Sequence, residues 1–136
     1  MKATKELEHE ITGSTDPELL VREEFSPPEL ADYLKELLRL RDMPVKDIIR
    51  RCNLERSYGY QLFNGTRRPT RDILMVLSLE LRLSVEEARR LFEIAGRPPL
   101  YARRRRDAAV LYGLSHGLSP ADVHELLLEL EEDGLL

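Results

Sequence analysis

Four polar side chains in the middle of the 136-residue chain, Arg56, Ser57, Tyr60 and Gln61, recur at the spacing of a helix face. Residues three and four apart lie on one side of a helix, so these four share an outward side. Arginine can donate two hydrogen bonds to guanine, glutamine can pair with adenine, and serine can serve either base. The spacing predicts a short helix over about 55–63 whose outer side can contact base edges.

A polar loop follows that helix and offers a second kind of contact. It contains Asn64, Arg67 and Arg68, which can donate hydrogen bonds to phosphate oxygens. Gly65 permits the positive φ that turns the chain into this loop. We therefore expect the loop to bind phosphate and so fix the register of the helix before it.

A second short helix is predicted just upstream, from Pro44 to Cys52. Asn53 stands where a left-handed turn residue is needed, and Leu54 is expected to plug the turn. Two short helices joined by a tight turn are typical of a helix-turn-helix. In such a unit the second helix enters the major groove of DNA, while the first crosses the backbone.

Residues 30–96 resemble the lambda-repressor-like, or Xre-type, helix-turn-helix domain. The resemblance lies in the Asn53-Leu54 turn, the polar short helix, the segment Asn-Gly-Thr-Arg-Arg-Pro-Thr at 64–70, and the leucines that follow. It implies an all-α fold with a five-helix DNA-binding head, to which the rest of the chain is expected to add a C-terminal helical hairpin. It also implies base contacts from Arg56, Ser57, Tyr60 and Gln61, and phosphate contacts from Asn64, Thr66, Arg67 and Arg68.

Apolar periodicity and capping residues predict the remaining helices. The first should begin near Ser26, with Glu29 completing a capping box, and end before Pro44. Further helices are predicted over about 70–81, 84–95, 103–115 and 120–132. Shifting the chain by 35 residues places Arg71-Asp72 on Arg106-Asp107 and Leu83-Ser84 on Leu118-Ser119, which indicates that one helix pair is repeated.

These patterns divide the chain into three parts. Residues 1–25 are expected to form a partly flexible acidic arm, in which residues 17–24 could form one helical turn. Residues 26–96 form the predicted DNA-binding domain. Residues 97–136 form the repeated helix pair, which could pack on that domain or serve in dimerisation.

The net charge of −4 conceals a basic segment. Residues 39–71 contain nine basic and three acidic side chains, while both flanking regions are acidic. A confined basic face of this kind is typical of phosphate binding, although a solvated helix surface would give the same pattern. A second basic cluster, Arg103 to Arg106, opens a predicted helix. The sequence leaves open what this cluster contacts. It could contact flanking DNA, the acidic arm, the acidic C-terminus of a neighbouring subunit, or only solvent.

Composition argues against other classes of function. There is no glycine-rich phosphate loop and no His-Glu-x-x-His, and the histidines are dispersed, so we expect neither an enzyme nor a metal or other cofactor. The single cysteine, Cys52, is expected to be a small core residue. There is no apolar run of membrane-spanning length, and a bacterial-type cytoplasmic location is expected.

The partners expected are double-stranded DNA and no membrane, with a homodimer and an acidic protein partner left open. A protein adaptor is the alternative function. Gly59 and the acidic balance outside the basic segment motivate it, and Glu55 weakens the case for DNA. Glu55 repels nearby phosphate, and Gly59 stands where the family usually has an aliphatic core residue. This glycine costs helix propensity and a packing side chain unless Tyr58 or Tyr60 fills the gap.

Overall fold

The regular structure is entirely α-helical within residues 4–14 and 29–136, the parts of the chain that the computed structural model describes. The all-α prediction is therefore confirmed for these residues. The helices are α1 (Thr4–Gly13), α2 (Leu30–Leu40), α3 (Val45–Arg51), α4 (Arg56–Asn64), α5 (Arg71–Glu80), α6 (Val85–Ile94), α7 (Arg105–His116) and α8 (Pro120–Glu129).

Helix α1 lies in the segment that the sequence predicts as an acidic arm. It was missed because its apolar periodicity is weak. Its glutamates and lysine are good helix formers, so composition rather than an apolar stripe is the signal for this helix. The helical turn predicted over residues 17–24 lies outside the described residues.

The predicted start of the next helix was wrong. Helix α2 begins at Leu30, and Glu29 is the extended N-cap residue (φ −69°, ψ 138°), whose side chain accepts no capping hydrogen bond. Ser26, the expected cap, lies outside the described residues. Two consecutive prolines follow it, and a proline disfavours the helical conformation of the residue before it. A helix that starts four residues later avoids this conflict.

Other helix ends follow the predicted local signals. Asn53 and Gly65 take positive φ angles of 54° and 87°, as expected for the residues that turn the chain after α3 and α4. The Ser84 hydroxyl accepts a hydrogen bond from the amide of Glu87 at 3.0 Å, and the Glu87 carboxylate accepts one from the amide of Ser84 at 3.0 Å. This is the predicted capping box.

One apolar core runs through α2 to α8. Its fully buried side chains include Leu34, Ile48, Leu62, Leu74, Phe92, Val123 and Leu127. The sequence left open whether α7 and α8 pack on the preceding helices or on another copy of the chain. In this fold both helices pack on α5, and α7 also packs on α6.

The 35-residue repeat corresponds to two helical hairpins, α5–α6 and α7–α8. Each second helix begins with a capping box, at Ser84 and at Ser119. The repeat also explains why α8 ends at Glu129 and not near residue 132. Glu131 takes φ 59°, matching φ 68° at Gly96, the residue 35 positions earlier. The left-handed residue ends both hairpins in the same way.

Two crossed ion pairs join the hairpins. Arg71 contacts Asp107 with a closest N–O distance of 2.6 Å, and Arg106 contacts Asp72 at 2.7 Å. The arginine of each hairpin thus binds the aspartate of the other. In a repeat related by translation, the second hairpin would pair with a third one and not with the first. The reciprocal pairing therefore indicates that an approximate two-fold axis relates the two hairpins.

Each of these arginines also closes its own hairpin. Arg71 donates to the carbonyl oxygens of Pro98 and Pro99 at 3.0 and 2.7 Å. Arg106 donates to those of Asp133 and Gly134 at 3.0 and 2.9 Å, the positions 35 residues further on. Both side chains are therefore held by carboxylate and carbonyl oxygens, and they belong to the packing of the fold.

The two aspartates differ in burial. The Asp107 side chain is 3% exposed, whereas that of Asp72 is 53% exposed. Burial alone would raise the pKa of the Asp107 carboxyl. Hydrogen bonds from the Arg71 guanidinium and the Tyr101 amide outweigh this effect, and the pKa lies below its ordinary value.

Replacing the two aspartates separately should reveal this difference. We expect Asp107→Ala to lower the free energy of unfolding by about 3 kcal/mol, because it leaves the Arg71 guanidinium without its carboxylate in a buried site. Asp72→Ala should cost less than about 1 kcal/mol, because its pair is more exposed. Denaturant unfolding measures both values. Equal losses would contradict the assignment.

Asp107 should also give stability a specific dependence on pH. Its folded pKa is depressed, so its contribution is fully present above the unfolded pKa of about 3.9 and is lost as the pH falls through the folded pKa. Unfolding of the wild type and of Asp107→Asn, measured over this acidic range, should converge as the pH falls. A gap that stays constant would show that the ionised carboxylate adds no stability.

Candidate nucleic-acid interface

The predicted reading helix and its partner are α4 and α3, joined by a four-residue turn over residues 52–55. The amide of Leu54 donates to the carbonyl of Ile49 at 3.0 Å, which closes the end of α3. Leu54 itself is half-buried against the core, as expected for the turn plug. Together with the left-handed Asn53, these contacts fix how α4 leaves α3.

Glu55 is the N-cap residue of α4 and not its first helical residue. Its carboxylate accepts hydrogen bonds from the amides of Tyr58 at 2.8 Å and Ser57 at 3.0 Å. These two bonds lower the pKa of the Glu55 carboxyl. The positive end of α4 is therefore already occupied by an anion, and any phosphate must be bound by side chains instead.

The four predicted base-contacting residues lie on one side of α4. Arg56, Ser57 and Tyr60 are exposed, and Gln61 is half-buried. The Arg56 guanidinium lies over the Tyr60 ring, 5.9 Å from its centroid. This contact restricts the arginine to one side of the helix. The Gln61 side-chain oxygen accepts from Nε of Arg67 at 3.2 Å, which links the helix to the following loop.

The predicted phosphate-binding loop is held together by its own side chains. The Asn64 side-chain oxygen accepts from the Thr66 amide at 3.1 Å and from the Thr66 hydroxyl at 2.8 Å. The Arg67 guanidinium is exposed and lies 5.8 Å from the centroid of the Tyr58 ring. Arg67 is thus presented to solvent beside α4, whereas Asn64 and Thr66 also shape the loop.

Arg68 has a structural task that the sequence did not reveal. It donates to the carbonyl oxygen of Ala95 at 2.8 Å and also to that of Gly96. These carbonyls lie at the C-terminal end of α6, where a cation is favoured by the helix dipole. The guanidinium of Arg68 is therefore shared between this helix end and solvent.

The basic segment 39–71 separates into paired and unpaired cations. Five of its nine basic residues contact a carboxylate of the described chain: Arg39, Arg41, Arg50, Arg51 and Arg71. Four have no such contact with a described residue: Lys46, Arg56, Arg67 and Arg68. The Arg50–Asp47 contact is long, at 3.6 Å, and its arginine is 76% exposed, so it holds Arg50 only weakly.

A surface pocket of about 410 Å³ lies between α3 and α4 among these cations. It is lined by Lys46, Ile49, Arg50, Leu54, Arg56 and Tyr60. Lys46 and Arg50 were counted in the basic segment but were not predicted as site residues. Their i, i+4 spacing on a short helix is the signal that places both on the same side.

Gly59 allows α3 and α4 to approach closely. A Cβ added there would lie 2.7 to 2.9 Å from three side-chain carbons of Ile49. The sequence left open whether Tyr58 or Tyr60 fills this space. Ile49 fills it from the neighbouring helix, and Tyr60 remains exposed. The aliphatic group is supplied by α3, so α4 has no room for a side chain at this position.

The described residues also bear on metal, thiol and membrane sites. They contain no group of three or more histidine, cysteine, aspartate or glutamate side chains that could hold a metal ion. Cys52 is buried, and burial, with a smaller effect of Glu80, raises the pKa of its thiol to about 12. None of the described helices has the length and apolar character needed to cross a membrane.

Comparisons with models of protein families, with curated protein sequences and with solved structures found no match to this chain.

The packing of Gly59 can be tested with a double-mutant cycle. Gly59→Ala gains up to about 1 kcal/mol of helix propensity but overpacks the contact with Ile49, which costs about 1–3 kcal/mol, so we expect a net loss of stability. Ile49→Ala alone should cost about 2–5 kcal/mol through the cavity it leaves. The double variant should lose less than the sum of the two, because the new methyl group occupies part of that cavity.

Strict additivity in denaturant unfolding would contradict the proposed contact.

Proposed function

We propose that this chain is a sequence-specific DNA-binding transcriptional regulator that inserts α4 into the major groove. The observation that carries the proposal is the group of cations on α3, α4 and the following loop that have no carboxylate partner among the described residues. Lys46, Arg56 and Arg67 are exposed there, while neighbouring arginines are paired within the fold. Unpaired cations gathered on one face favour a polyanionic partner.

In this proposal α2 to α6 form the five-helix DNA-binding head, and α3 and α4 form its helix-turn-helix. Arg56, Ser57, Tyr60 and Gln61 contact base edges. Arg67 contacts phosphate, with Asn64, Thr66 and Arg68 supporting the loop and its contacts. Lys46 and Arg50 on α3 bind the backbone where the first helix crosses it. The chain acts in the cytoplasm, and two copies bind two half-sites about one helical turn apart.

Contacts within the fold explain the two unusual residues of the reading helix, Glu55 and Gly59. The Glu55 carboxylate is turned to the amides of its own helix, so it does not need a partner from outside the chain. Gly59 is explained by the close approach of Ile49. Gly59 was one ground for a protein-adaptor function and Glu55 weakened the case for DNA, and each is accounted for by a contact within the fold. The other ground, the acidic balance outside the basic segment, is unaffected.

Binding to a library of genomic DNA fragments at two salt concentrations tests the proposal. Phosphate contacts release counterions, so affinity should fall steeply as salt increases. A set of fragments enriched for one sequence is the expected result. Absence of binding to any fragment at low salt would reject the proposal, and a partner protein retained after nuclease treatment would favour the adaptor function.

Substitutions within the interface should separate base from phosphate contacts. Arg56→Ala should cost about 1–3 kcal/mol on the preferred sequence and relax discrimination at one position. Arg67→Ala should weaken all sequences alike and reduce the salt slope by about 1. Arg82→Ala, after the C-terminal end of α5, is the control, because it removes an exposed arginine that likewise has no ion pair with a described carboxylate. Equal effects of Arg56→Ala and Arg67→Ala on every sequence would contradict these roles.

A further inference from the structure

The second basic cluster divides between packing and solvent. Arg106 is held by Asp72 and by two carbonyls, so it belongs to the fold. Arg103, Arg104 and Arg105 are exposed, and no hydrogen bond or ion pair joins their guanidinium groups to a described residue. Three adjacent cations are thus presented to solvent immediately before and at the start of α7.

These cations do not help α7 to form. Arg104 is the N-cap residue, and its side chain makes no capping hydrogen bond. Positive charge at this end of a helix also opposes the helix dipole. The matching start of α5 is built differently, because Thr70 accepts a hydrogen bond from the Ile73 amide at 3.2 Å. The repeat places Arg105 at the position of Thr70, so a capping residue in one copy is replaced by a charge in the other.

Contacts between the hairpins place this cluster beside the loop that follows α4. Arg97 donates to the carbonyl of Pro69 at 3.0 Å, and Arg71 donates to the carbonyls of Pro98 and Pro99. Asp107, in the first turn of α7, binds Arg71 in the first turn of α5. The N-terminal ends of α5 and α7 therefore lie together, and the basic loop that contains Arg67 leads directly into this end of the molecule.

We infer that Arg103, Arg104 and Arg105 bind the phosphates of double-stranded DNA that flanks the segment contacted by α4. The inference rests on the proposed function and adds a second backbone contact to it. The cluster is exposed, forms no ion pair with a carboxylate of the described residues, and lies at the end of the molecule that the loop of Arg67 leads into. Arg104 also lies near enough to Asp107 to help lower the pKa of that carboxyl. Arginines bind phosphate without reading sequence, so this contact adds affinity and sets how far the footprint extends.

The test compares two triple variants on two DNA fragments. One variant is Arg103→Gln, Arg104→Gln and Arg105→Gln. The control is Arg82→Gln, Arg89→Gln and Arg90→Gln, which removes the same charge near the α5–α6 turn and on α6. Arg82 follows the C-terminal end of α5, about 15 Å along that helix from the end where the cluster lies. The short fragment contains only the sequence selected by α4, and the long fragment adds flanks.

The wild type and the control should bind the long fragment more tightly than the short one. The first variant should lose this preference and should reduce the salt slope on the long fragment by about 0.9 for each arginine that contacts phosphate. Replacing all three residues by lysine should retain the slope, because the charge remains. Unfolding midpoints equal to that of the wild type show that the fold is intact.

Two results would overturn the inference while leaving the proposed function in place. One is that the wild type binds DNA but shows no preference for the long fragment. The other is that the glutamine variant keeps the preference and slope of the wild type, or weakens binding to both fragments equally. Failure of the wild type to bind either fragment would instead reject the proposed function, and this inference with it.

Discussion

The crossed contacts of Arg71 with Asp107 and of Arg106 with Asp72 connect the two halves of this fold. Each arginine binds the other hairpin through a carboxylate and its own hairpin through carbonyls. Because Asp107 is almost fully buried, this network also fixes where α7 begins relative to α5. The position of the C-terminal hairpin, and of every basic residue near this end of the molecule, depends on that arrangement.

The same network determines which cations are available to a partner. Charge counting alone treats all nine basic residues of 39–71 as one surface. The fold binds Arg41 to Glu87 and Arg71 to Asp107, and it shares Arg68 with the end of α6. The cations left for a partner on α3, α4 and the loop are therefore fewer than the charge count suggests. The nearby arginines differ from them because they hold the fold together.

The sequence predicted the helices where local signals are strong. Capping at Ser84, the left-handed Asn53 and the turn at Gly65 each depend on a few neighbouring residues, and all three were confirmed. The sequence could not show what fills the space beside Gly59, because the side chain that does so, Ile49, belongs to another helix. The 35-residue repeat aligned the arginines and aspartates but could not show that they pair across copies. That exchange is a property of tertiary packing, as is the contact of Arg68 with Ala95 and Gly96.

The central claim is that α4 meets DNA bases, and site-specific photocrosslinking tests it most directly. A photoreactive phenylalanine derivative at Tyr60, which is 40% exposed on α4, would be compared with the same group at Tyr112, which is 52% exposed on α7. With a bound DNA fragment, the account predicts crosslinks to bases from position 60 and none from position 112. Crosslinks from position 112 alone, or none from position 60 while the fragment remains bound, would contradict it.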